Sequence, residues 1–292
     1  MQRFLFVIHW GKYKVYGGIF VTQRFKQVIL VCDMDGTLLN GEDTISIETQ
    51  EALRYFTEKG GLFTVATGRK EVSMKRFMEE LPINLPAILY NGSIIYDLSN
   101  DRVLWERQLE CNLGDLLSEV RRRFPSVGIE IYKDNTIKLV HKNSYTEFHR
   151  QIEHYPDELY RVQDISLPWR KVLLADDPEQ LTELEKFIES YYADREAPFR
   201  MCRSERFFLE WLPIGVSKGS ALEALKSMYG LEQSMVVTVG NETNDIEMLS
   251  RPNIGFAVDN AHPEAKRAAP YQCTDHNQNP VRDIIKWIEN QL

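Results

Sequence analysis

The sequence contains few cysteines, and no two of them lie close together. Its 292 residues include Cys32, Cys111, Cys202 and Cys273, each more than 70 residues from the next. A zinc ribbon needs paired C-x-x-C spacing, and a disulfide-stapled domain needs dense cysteines. We therefore expect neither kind of fold, and we expect a protein of a reducing compartment such as the cytoplasm.

Two further absences narrow the possible partners. No stretch of about 18 uncharged apolar residues occurs, so we expect no transmembrane helix. Positive charge is not in excess, because 35 Lys and Arg residues face 43 Asp and Glu residues and give a net charge of -8. Such a protein matches a nucleic-acid backbone or an anionic lipid surface poorly. We expect no nucleic-acid partner and no membrane partner, and the composition leaves the oligomeric state open.

Residues 1–26 differ from the rest of the chain, since they hold five basic residues and no acidic one. Their apolar run, residues 4–8, is interrupted by His9 and then by Lys12, and no small-residue cleavage site follows. This pattern is a poor match to a signal peptide. We expect a basic N-terminal extension on a cytoplasmic protein.

From residue 27 onward the sequence alternates buried strands with helices. The apolar run 28–32 has the length of a strand covered on both faces. Strands and helices in alternation predict a parallel sheet with right-handed crossovers. The predicted segments are strands at 28–32, 62–66 and 87–90 and helices at 49–57 and 71–81.

The middle of the chain follows a different pattern. Strands at 128–132 and 136–141 flank Lys133-Asp134-Asn135, a natural hairpin turn, so we expect antiparallel sheet here. Beyond Pro213 the earlier alternation returns, with a helix at 218–229 and a strand at 235–239. We predict an α/β protein with a Rossmann-like parallel-sheet core. The core spans residues 27–95 and 213–292, and an α+β domain at 96–212 is inserted into it.

The strongest local signal is the motif DMDGT at residues 33–37, directly after the first buried strand. Ligands of open α/β sheets bind beyond the carboxyl ends of the strands. Asp33 and Asp35 can project to the same side because side chains alternate along an extended backbone. Two carboxylates that share a site favour a cation beside them. A calcium loop is excluded because Thr37 and Thr44 stand where it needs acids.

Three other motifs could face the same crevice. Thr67-Gly68-Arg69 offers a hydroxyl, open backbone N–H groups and a guanidinium, all suited to phosphate oxygens. Lys218 opens a helix and supplies an ammonium group. The motif GNETND at 240–245 supplies oxygen ligands for a hard cation.

The order DMDGT, TGR, GVSKG and GNETND resembles the haloacid dehalogenase (HAD) superfamily of phosphohydrolases. The inserted domain, with Tyr90-Asn91-Gly92 and the segment 260–263, is similar to the Cof-type branch, which has a large α/β cap. The resemblance covers the chain from about residue 27 to its end and implies a HAD core with an inserted α+β cap.

The resemblance implies a magnesium-dependent phosphatase acting on small phosphomonoesters. Asp33 would be the nucleophile that forms an aspartyl-phosphate, Asp35 the general acid and base, and Lys218 a catalytic group that offsets charge. The remaining roles that it implies are phosphate binding by Thr67, Gly68 and Lys218, substrate binding by Arg69, Asn91, Gly92 and Asn244, and Mg²⁺ binding by Asp33, Asp35 through its carbonyl, Asn241 and Asp245.

One residue departs from the family pattern, which commonly has Asp where this chain has Asn241. An amide oxygen still binds magnesium but without the negative charge, so we expect weaker metal affinity. Two alternatives to the phosphatase stay open: a phosphosugar mutase with the same intermediate, and, because of Asn241, a catalytically impaired sugar-phosphate-binding regulator.

The substrate is less well defined than the reaction. Sugar phosphates are the leading class, followed by phosphorylated cofactors such as flavin mononucleotide or pyridoxal phosphate. The sequence does not rank the candidate cap residues, which are Tyr132, Lys138, His141, His149, His154, Arg203 and Trp211.

Overall fold

A computed structural model describes the backbone of residues 8–10, 13–16, 19–250 and 254–292, and the side chains of these ranges from residue 23 onward. The predicted basic extension, residues 1–26, lies partly outside the described residues. Its described part contains an antiparallel sheet of β1 (Ile8–Trp10), β2 (Tyr13–Tyr16) and β3 (Ile19–Thr22), followed by a turn that leads to the core. No helix in the described ranges is long and apolar enough to cross a membrane.

The first half of the core alternates strands and helices as the hydrophobic pattern predicts. Its first strand, β4 (Val28–Cys32), is buried at all five residues. Ser46 caps the following helix by accepting a hydrogen bond from the Thr49 N–H. The other elements, in chain order, are α1 (Ile47–Glu58), β5 (Leu62–Val65), α2 (Glu71–Lys75), β6 (Ala87–Leu89), β7 (Ile94–Asp97) and β8 (Arg102–Glu106).

The predicted helix at 71–81 is shorter in the structure, where α2 ends at Lys75. The chain continues in tight turns, with hydrogen bonds from Phe77 N–H to the Met74 carbonyl and from Glu80 N–H to the Phe77 carbonyl. Such three-residue spacing ends regular α-helix. The turns leave Phe77 buried in the core.

The second domain contains five strands and three helices. The strands form one antiparallel sheet in the order β10-β9-β11-β13-β12. Its elements are α3 (Gly114–Arg123), β9 (Gly128–Lys133), β10 (Thr136–His141), α4 (Ser144–Glu153), β11 (Lys171–Ala175), α5 (Pro178–Tyr191), β12 (Arg200–Glu205) and β13 (Phe208–Leu212).

The two faces of this cap sheet differ because side chains alternate along each strand. Ile129, Ile131 and Leu174 join a hydrophobic cluster with the buried residues of α3 and α5. The alternate positions, such as Tyr132 and Leu173, belong instead to the hydrophobic cluster of the core domain. We call this second side the inner face of the cap, because it covers the core.

The chain then returns to the core and completes its parallel sheet, in the order β16-β15-β14-β4-β5. β8, within the predicted cap range 96–212, pairs with β7 rather than with the cap sheet. The expected α/β class, with a Rossmann-like sheet and an inserted cap, is confirmed. The last elements are α6 (Lys218–Tyr229), β14 (Met235–Gly240), α7 (Ile246–Ser250), β15 (Ile254–Ala257), α8 (Pro263–Ala268), β16 (Tyr271–Gln272) and α9 (Pro280–Gln291).

Candidate active site

Asp33 follows β4 and lies beside the end of β14, because β4 and β14 are parallel neighbours. Its backbone N–H donates to the Val239 carbonyl at 2.9 Å. Its carboxylate Oδ1 accepts a hydrogen bond from Lys218 Nζ at 2.6 Å. Lys218 is the first residue of α6 and is 1% exposed, so its ammonium group is held in place and offsets the charge of Asp33.

Lys218 also connects Asp33 to the loop that follows β14. Its Nζ donates to Asp245 Oδ1 at 2.7 Å. Asp245 Oδ2 accepts the backbone N–H groups of Asn241 at 2.8 Å and Glu242 at 3.0 Å. Both oxygens of this buried carboxylate are therefore engaged by the protein. Asp245 therefore shapes the loop and holds Lys218, and its role as a metal ligand stays a prediction.

The DMDGT loop and the GNETND loop pack directly on each other. Thr37 donates its hydroxyl hydrogen bond to Asn241 Oδ1 at 3.0 Å. Gly36 has a φ of +68°, and a Cβ there would lie 2.6 Å from Asn241 Nδ2. Glycine at this position therefore allows Asn241 to lie against the loop that carries Asp33.

The oxygen atoms around Asp33 suit a hard divalent cation. The candidate donors are the Asp33 carboxylate, the Asp35 carbonyl and the Asn241 amide oxygen, and oxygen-only sets favour Mg²⁺ or Ca²⁺. In the part of the chain that the structure describes, no three His, Cys, Asp or Glu side chains are grouped to hold an ion.

The electrostatic setting of Asp33 also favours a cation. Burial raises the pKa of the Asp33 carboxyl, Asp245 and Asp35 raise it further, and Lys218 lowers it. A carboxyl group in this setting ionises more readily when a cation is close. The residues present therefore fit the magnesium ion that the fold family implies.

Asp35 is bound by Arg69 in a bidentate ion pair. Arg69 Nε donates to Asp35 Oδ2 at 2.9 Å, and Nη2 donates to Asp35 Oδ1. The same Nη2 donates to Asp43 at 3.0 Å. Arg69 was predicted to bind substrate, yet most of its donors are used within the protein. Its Nη1 is buried with no hydrogen-bond partner among the described residues, and this atom could still bind a ligand oxygen.

The Thr67-Gly68-Arg69 turn has a partly internal role. The Thr67 side chain is fully buried, and its Oγ1 accepts the Arg69 N–H at 3.2 Å. Gly68 lines a cavity that lies between the core and the inner face of the cap, whereas Thr67 does not. The predicted phosphate-binding hydroxyl therefore shapes the turn from behind the cavity wall.

The YNG motif contacts both the core and the cap. Asn91 Nδ2 donates to Glu210 Oε2 of the cap at 2.8 Å, and Asn91 Oδ1 accepts from Asn244 Nδ2 at 3.0 Å. Asn244 lines the cavity, and its Oδ1 is buried without a partner in the described part of the chain. Gly92 has a φ of +100°, and a Cβ there would lie 2.1 Å from the Ser217 carbonyl. Of these three predicted substrate-binding residues, only Asn244 faces the cavity.

A cavity of about 510 Å³ lies between these core loops and the inner face of the cap. This volume is within the range of small-molecule sites. Asp33, Asp35, Arg69 and Asn241 line its core side. Lys218 does not line it and reaches it through Asp33.

Two ion pairs that the sequence-based predictions missed lie beside this cavity, where the cap meets the core. Lys171 pairs with Glu210 at 2.8 Å, with both side chains almost fully buried, and it also donates to the Gly68 carbonyl at 3.4 Å. Lys70 of the core pairs with Glu153 of the cap at 3.1 Å. The signal for the first pair was present, since both residues occupy inner-face positions of otherwise apolar strands.

The structure separates the cap candidates. Tyr132 and His149 line the cavity. Lys138 instead lies over a tyrosine ring at 4.5 Å, and Arg203 pairs with a glutamate of α5 at 2.9 Å. Trp211 is fully buried in the cap's own hydrophobic cluster. Lys138, Arg203 and Trp211 therefore have packing roles, because each lies away from the inner face or at its edge.

The other two histidines also lie outside the cavity lining. His141 contacts the Val127 carbonyl through Nδ1 at 2.6 Å. His154 ends α4 in a left-handed conformation, with a φ of +51°. Both have local structural roles.

The fold and these motifs define a hydrolase, and comparison with known proteins agrees. The haloacid dehalogenase-like hydrolase family matches residues 30–285. The chain belongs to this family, and its large inserted cap agrees with the resemblance to the Cof-type branch. The expectation of a HAD-type phosphomonoester hydrolase is confirmed at the level of enzyme class.

Individual relatives cover most of the chain. YxeH of Bacillus subtilis is 28% identical over 270 residues, covering 88% of this chain and 96% of that protein. A Serratia proteamaculans protein named HMP-PP phosphatase is 30% identical over 250 residues, covering 82% of this chain and 86% of its own length. A haloacid dehalogenase-like hydrolase from Bacteroides thetaiotaomicron has a similar crystal structure. Its TM-score is 0.76 at 26% identity, covering 90% of this chain and 99% of that one.

Proposed function

We propose that this protein is a cytoplasmic, magnesium-dependent phosphatase that hydrolyses small phosphomonoesters through an aspartyl-phosphate on Asp33. The observation that carries the proposal is the hydrogen bonding of the two oxygens of the Asp33 carboxylate. Its Oδ1 is held by Lys218 at 2.6 Å. Its Oδ2 accepts no hydrogen bond from the residues that the structure describes, and Asp33 lines the cavity. One oxygen is thus fixed and the other is available to attack phosphorus.

In the first step, Asp33 attacks the phosphorus atom in line with the ester bond, and the alcohol leaves. A carboxylate is a weak nucleophile, so its orientation accounts for much of the rate. Lys218 supplies that orientation, because it is fixed on its other side by Asp245. Arg69 and Gly68 line the cavity, and the Arg69 Nη1, which has no partner among the described residues, and the Gly68 backbone would bind the phosphoryl oxygens.

Asp35 would protonate the leaving alcohol and later take a proton from the hydrolytic water. Its side chain is 39% exposed, so it can meet a leaving group in the cavity. Arg69 holds it in one orientation through two hydrogen bonds. Such positioned acid–base groups typically contribute about 10²- to 10⁴-fold in rate.

Asp33, the Asp35 carbonyl and Asn241 would hold Mg²⁺. When bound, the ion supplies charge neutralisation for the phosphoryl group and its nucleophile. Asn241 is held by the Thr37 hydroxyl, and this bond fixes its amide oxygen. The loop around Asn241 depends in turn on the buried carboxylate of Asp245.

The test is a screen of phosphate release from a panel of phosphomonoesters, with and without Mg²⁺. A phosphatase gives Mg²⁺-dependent release, and acid quenching traps phosphate on the wild-type chain but not on Asp33→Asn. Isomer formation without free phosphate would indicate the mutase alternative. Saturable binding of sugar phosphates without turnover would indicate the regulator.

A further inference from the structure

The loop between β4 and α1 contains a residue with an uncommon backbone conformation. Asp43 has a φ of +58°, in the left-handed region that residues other than glycine rarely adopt. Hydrogen bonds from the Asn40 N–H to the Thr44 carbonyl and from the Asp43 N–H to the Asn40 carbonyl, both at 3.0 Å, hold this turn. Such conformations persist where the surrounding structure fixes them, and they are frequent at functional sites. The Asp43 side chain lines the cavity beside Asp35 and Arg69.

Both oxygens of the Asp43 carboxylate bind arginines. Its Oδ1 accepts a hydrogen bond from Arg69 Nη2 at 3.0 Å, and its Oδ2 accepts one from Arg76 Nη2. The Arg69 side chain is 9% exposed and the Arg76 side chain is 46% exposed, so Asp43 joins an inner guanidinium to an outer one. A carboxylate beside the cavity repels an anionic ester. We therefore expect Asp43 to act on the arginines rather than on the substrate.

The two guanidinium groups also share one aromatic ring. The Cζ atoms of Arg69 and Arg76 lie 5.5 Å and 4.5 Å from the centre of the Phe77 ring. Both distances are within the range of cation–π attraction. Phe77 is buried in the core, because the chain continues in tight turns after α2. Asp43, Arg76 and Phe77 thus hold the Arg69 guanidinium from two directions, and we call these three residues the Arg69 clamp.

Arg69 is in turn the residue that orients Asp35. Its Nε donates to Asp35 Oδ2 at 2.9 Å, and its Nη2 donates to Asp35 Oδ1 as well as to Asp43. A bidentate pair fixes two groups relative to each other and does not fix the pair relative to the protein. Without Asp43, the guanidinium and the Asp35 carboxylate would turn together. Asp43 therefore connects the pair to the rest of the core.

We propose that Asp43 is a positioning residue that acts through Arg69 to keep Asp35 directed at the leaving group. Arg76 and Phe77 support it from outside the cavity lining. The inference rests on the proposed phosphatase function, and it assigns a role to a residue that lies in none of the four sequence motifs. The Asp43 side chain is 49% exposed, and exposed ion pairs contribute little to stability. The effect of losing it should therefore appear in the rate of the reaction rather than in the stability of the fold.

Asp43→Gly removes the carboxylate without straining the turn, because glycine adopts a positive φ readily. The two substrates are p-nitrophenyl phosphate and the alkyl ester that the phosphate-release screen finds best, both with Mg²⁺. We expect kcat/KM to fall about tenfold for the alkyl ester and less than about twofold for the aryl ester, whose leaving group needs little protonation. Equal losses would indicate a general structural effect, and no loss would mean that Asp43 positions nothing. Either result would overturn the inference.

Asp101→Gly is the matched control. Asp101 also has a positive φ, +53°, and its side chain is 59% exposed. It pairs with Lys75 at 2.7 Å, as Asp43 pairs with the next residue, Arg76, and it does not line the cavity. We expect kcat/KM for both esters to stay within about 1.5-fold of the wild type, because an exposed ion pair is weak. A loss like that of Asp43→Gly would contradict a specific role for Asp43.

Two further variants test the hydrogen bonds of the clamp. Asp43→Asn keeps an acceptor oxygen for Arg69, and asparagine tolerates the left-handed conformation, so the alkyl ester should stay within about threefold of the wild type. Arg76→Met removes the outer partner of Asp43 and keeps an apolar contact with Phe77, so it should lower kcat/KM about threefold for the alkyl ester alone. A loss in Asp43→Asn as large as that in Asp43→Gly, with none in Arg76→Met, would overturn the clamp.

Hydrogen exchange of the Arg69 Nε–H group separates this inference from the phosphatase function, because it needs no turnover. The ¹⁵N NMR signal of this group is assigned by its absence from Arg69→Lys. We expect exchange at least about fivefold faster in Asp43→Gly and unchanged in Asp101→Gly, because Asp43 limits the motion of the guanidinium. That result, together with no phosphate release by the wild type, would overturn the phosphatase function alone. Unchanged exchange in Asp43→Gly would overturn the positioning role even in an active phosphatase.

Discussion

The two sides of the cavity are built in different ways. The core side comes from short continuous motifs at the ends of β4, β5 and β14 and at the start of α6. The cap side takes single residues from the inner face of a sheet and from α4. Under the proposed function, the core side would carry groups for the reaction itself, and the cap side would carry groups that contact the leaving alcohol. Substitutions on the core side should change kcat for all substrates, and those on the cap side should change the ranking of substrates.

The largest effect should come from Asp33→Asn. The substitution keeps the shape of the side chain and removes the proposed nucleophile, so we expect phosphate release to fall about 10⁴-fold or more for every ester. Steady-state assays across the panel measure it.

The control for this variant is its unfolding temperature, which should stay close to that of the wild type because Lys218 keeps its bond to Asp245. Substantial activity with an intact fold would show that the core side has a different nucleophile.

Asp35→Asn should have the next largest effect, and its size should depend on the leaving group. We expect a loss of about 10³-fold for alkyl esters, which need protonation of the leaving oxygen. An aryl ester such as p-nitrophenyl phosphate has a better leaving group and should lose much less. Equal losses for both kinds of ester would mean that Asp35 is not the acid.

The sequence allowed the core side to be predicted because a strand end determines where the next residues lie. Asp33 follows β4, and the parallel pairing of β4 with β14 brings the loop of Asn241 and Asp245 to it. The sequence does not show which of the predicted site residues bind each other. Arg69 pairs with Asp35 across 34 positions, and no local pattern specifies this contact.

The cap side of the cavity was harder to predict from the sequence, and the reason is physical. Its wall depends on the register of three antiparallel strands, which places Tyr132 opposite Lys171 and Glu130 opposite Leu173. A shift by one residue would turn every one of these side chains to the other face. Period-two alternation identifies the two faces, but the sequence does not say which face covers the core. Helix α4 contributes Phe148 and was not predicted.

Lys171→Met tests whether the cap side also has a structural role. The substitution leaves Glu210 buried beside Asn91 without its cationic partner. Losing one partner of a buried ion pair typically destabilises a protein by about 3 kcal/mol or more. Urea unfolding of the single variant should show this loss, and the double variant with Glu210→Gln should recover much of it. A loss below about 1 kcal/mol would mean that the pair contributes little, as exposed pairs do.

The smallest effect should come from Asn241→Asp, the core-side position at which this chain departs from the pattern that the resemblance implies. The new carboxylate adds a negative charge beside Asp33 and can still accept the Thr37 hydroxyl that now binds the amide oxygen. We expect the Mg²⁺ concentration for half-maximal rate to fall about tenfold, because a charged oxygen binds a hard cation more strongly than a neutral one. Calorimetric titration with Mg²⁺ alone should show the same change without any turnover. Because the added charge is on the core side, the ranking of substrates should stay the same. If neither measurement changes, Asn241 does not contact the metal, and the ligands must come from Asp33 and its nearer neighbours alone.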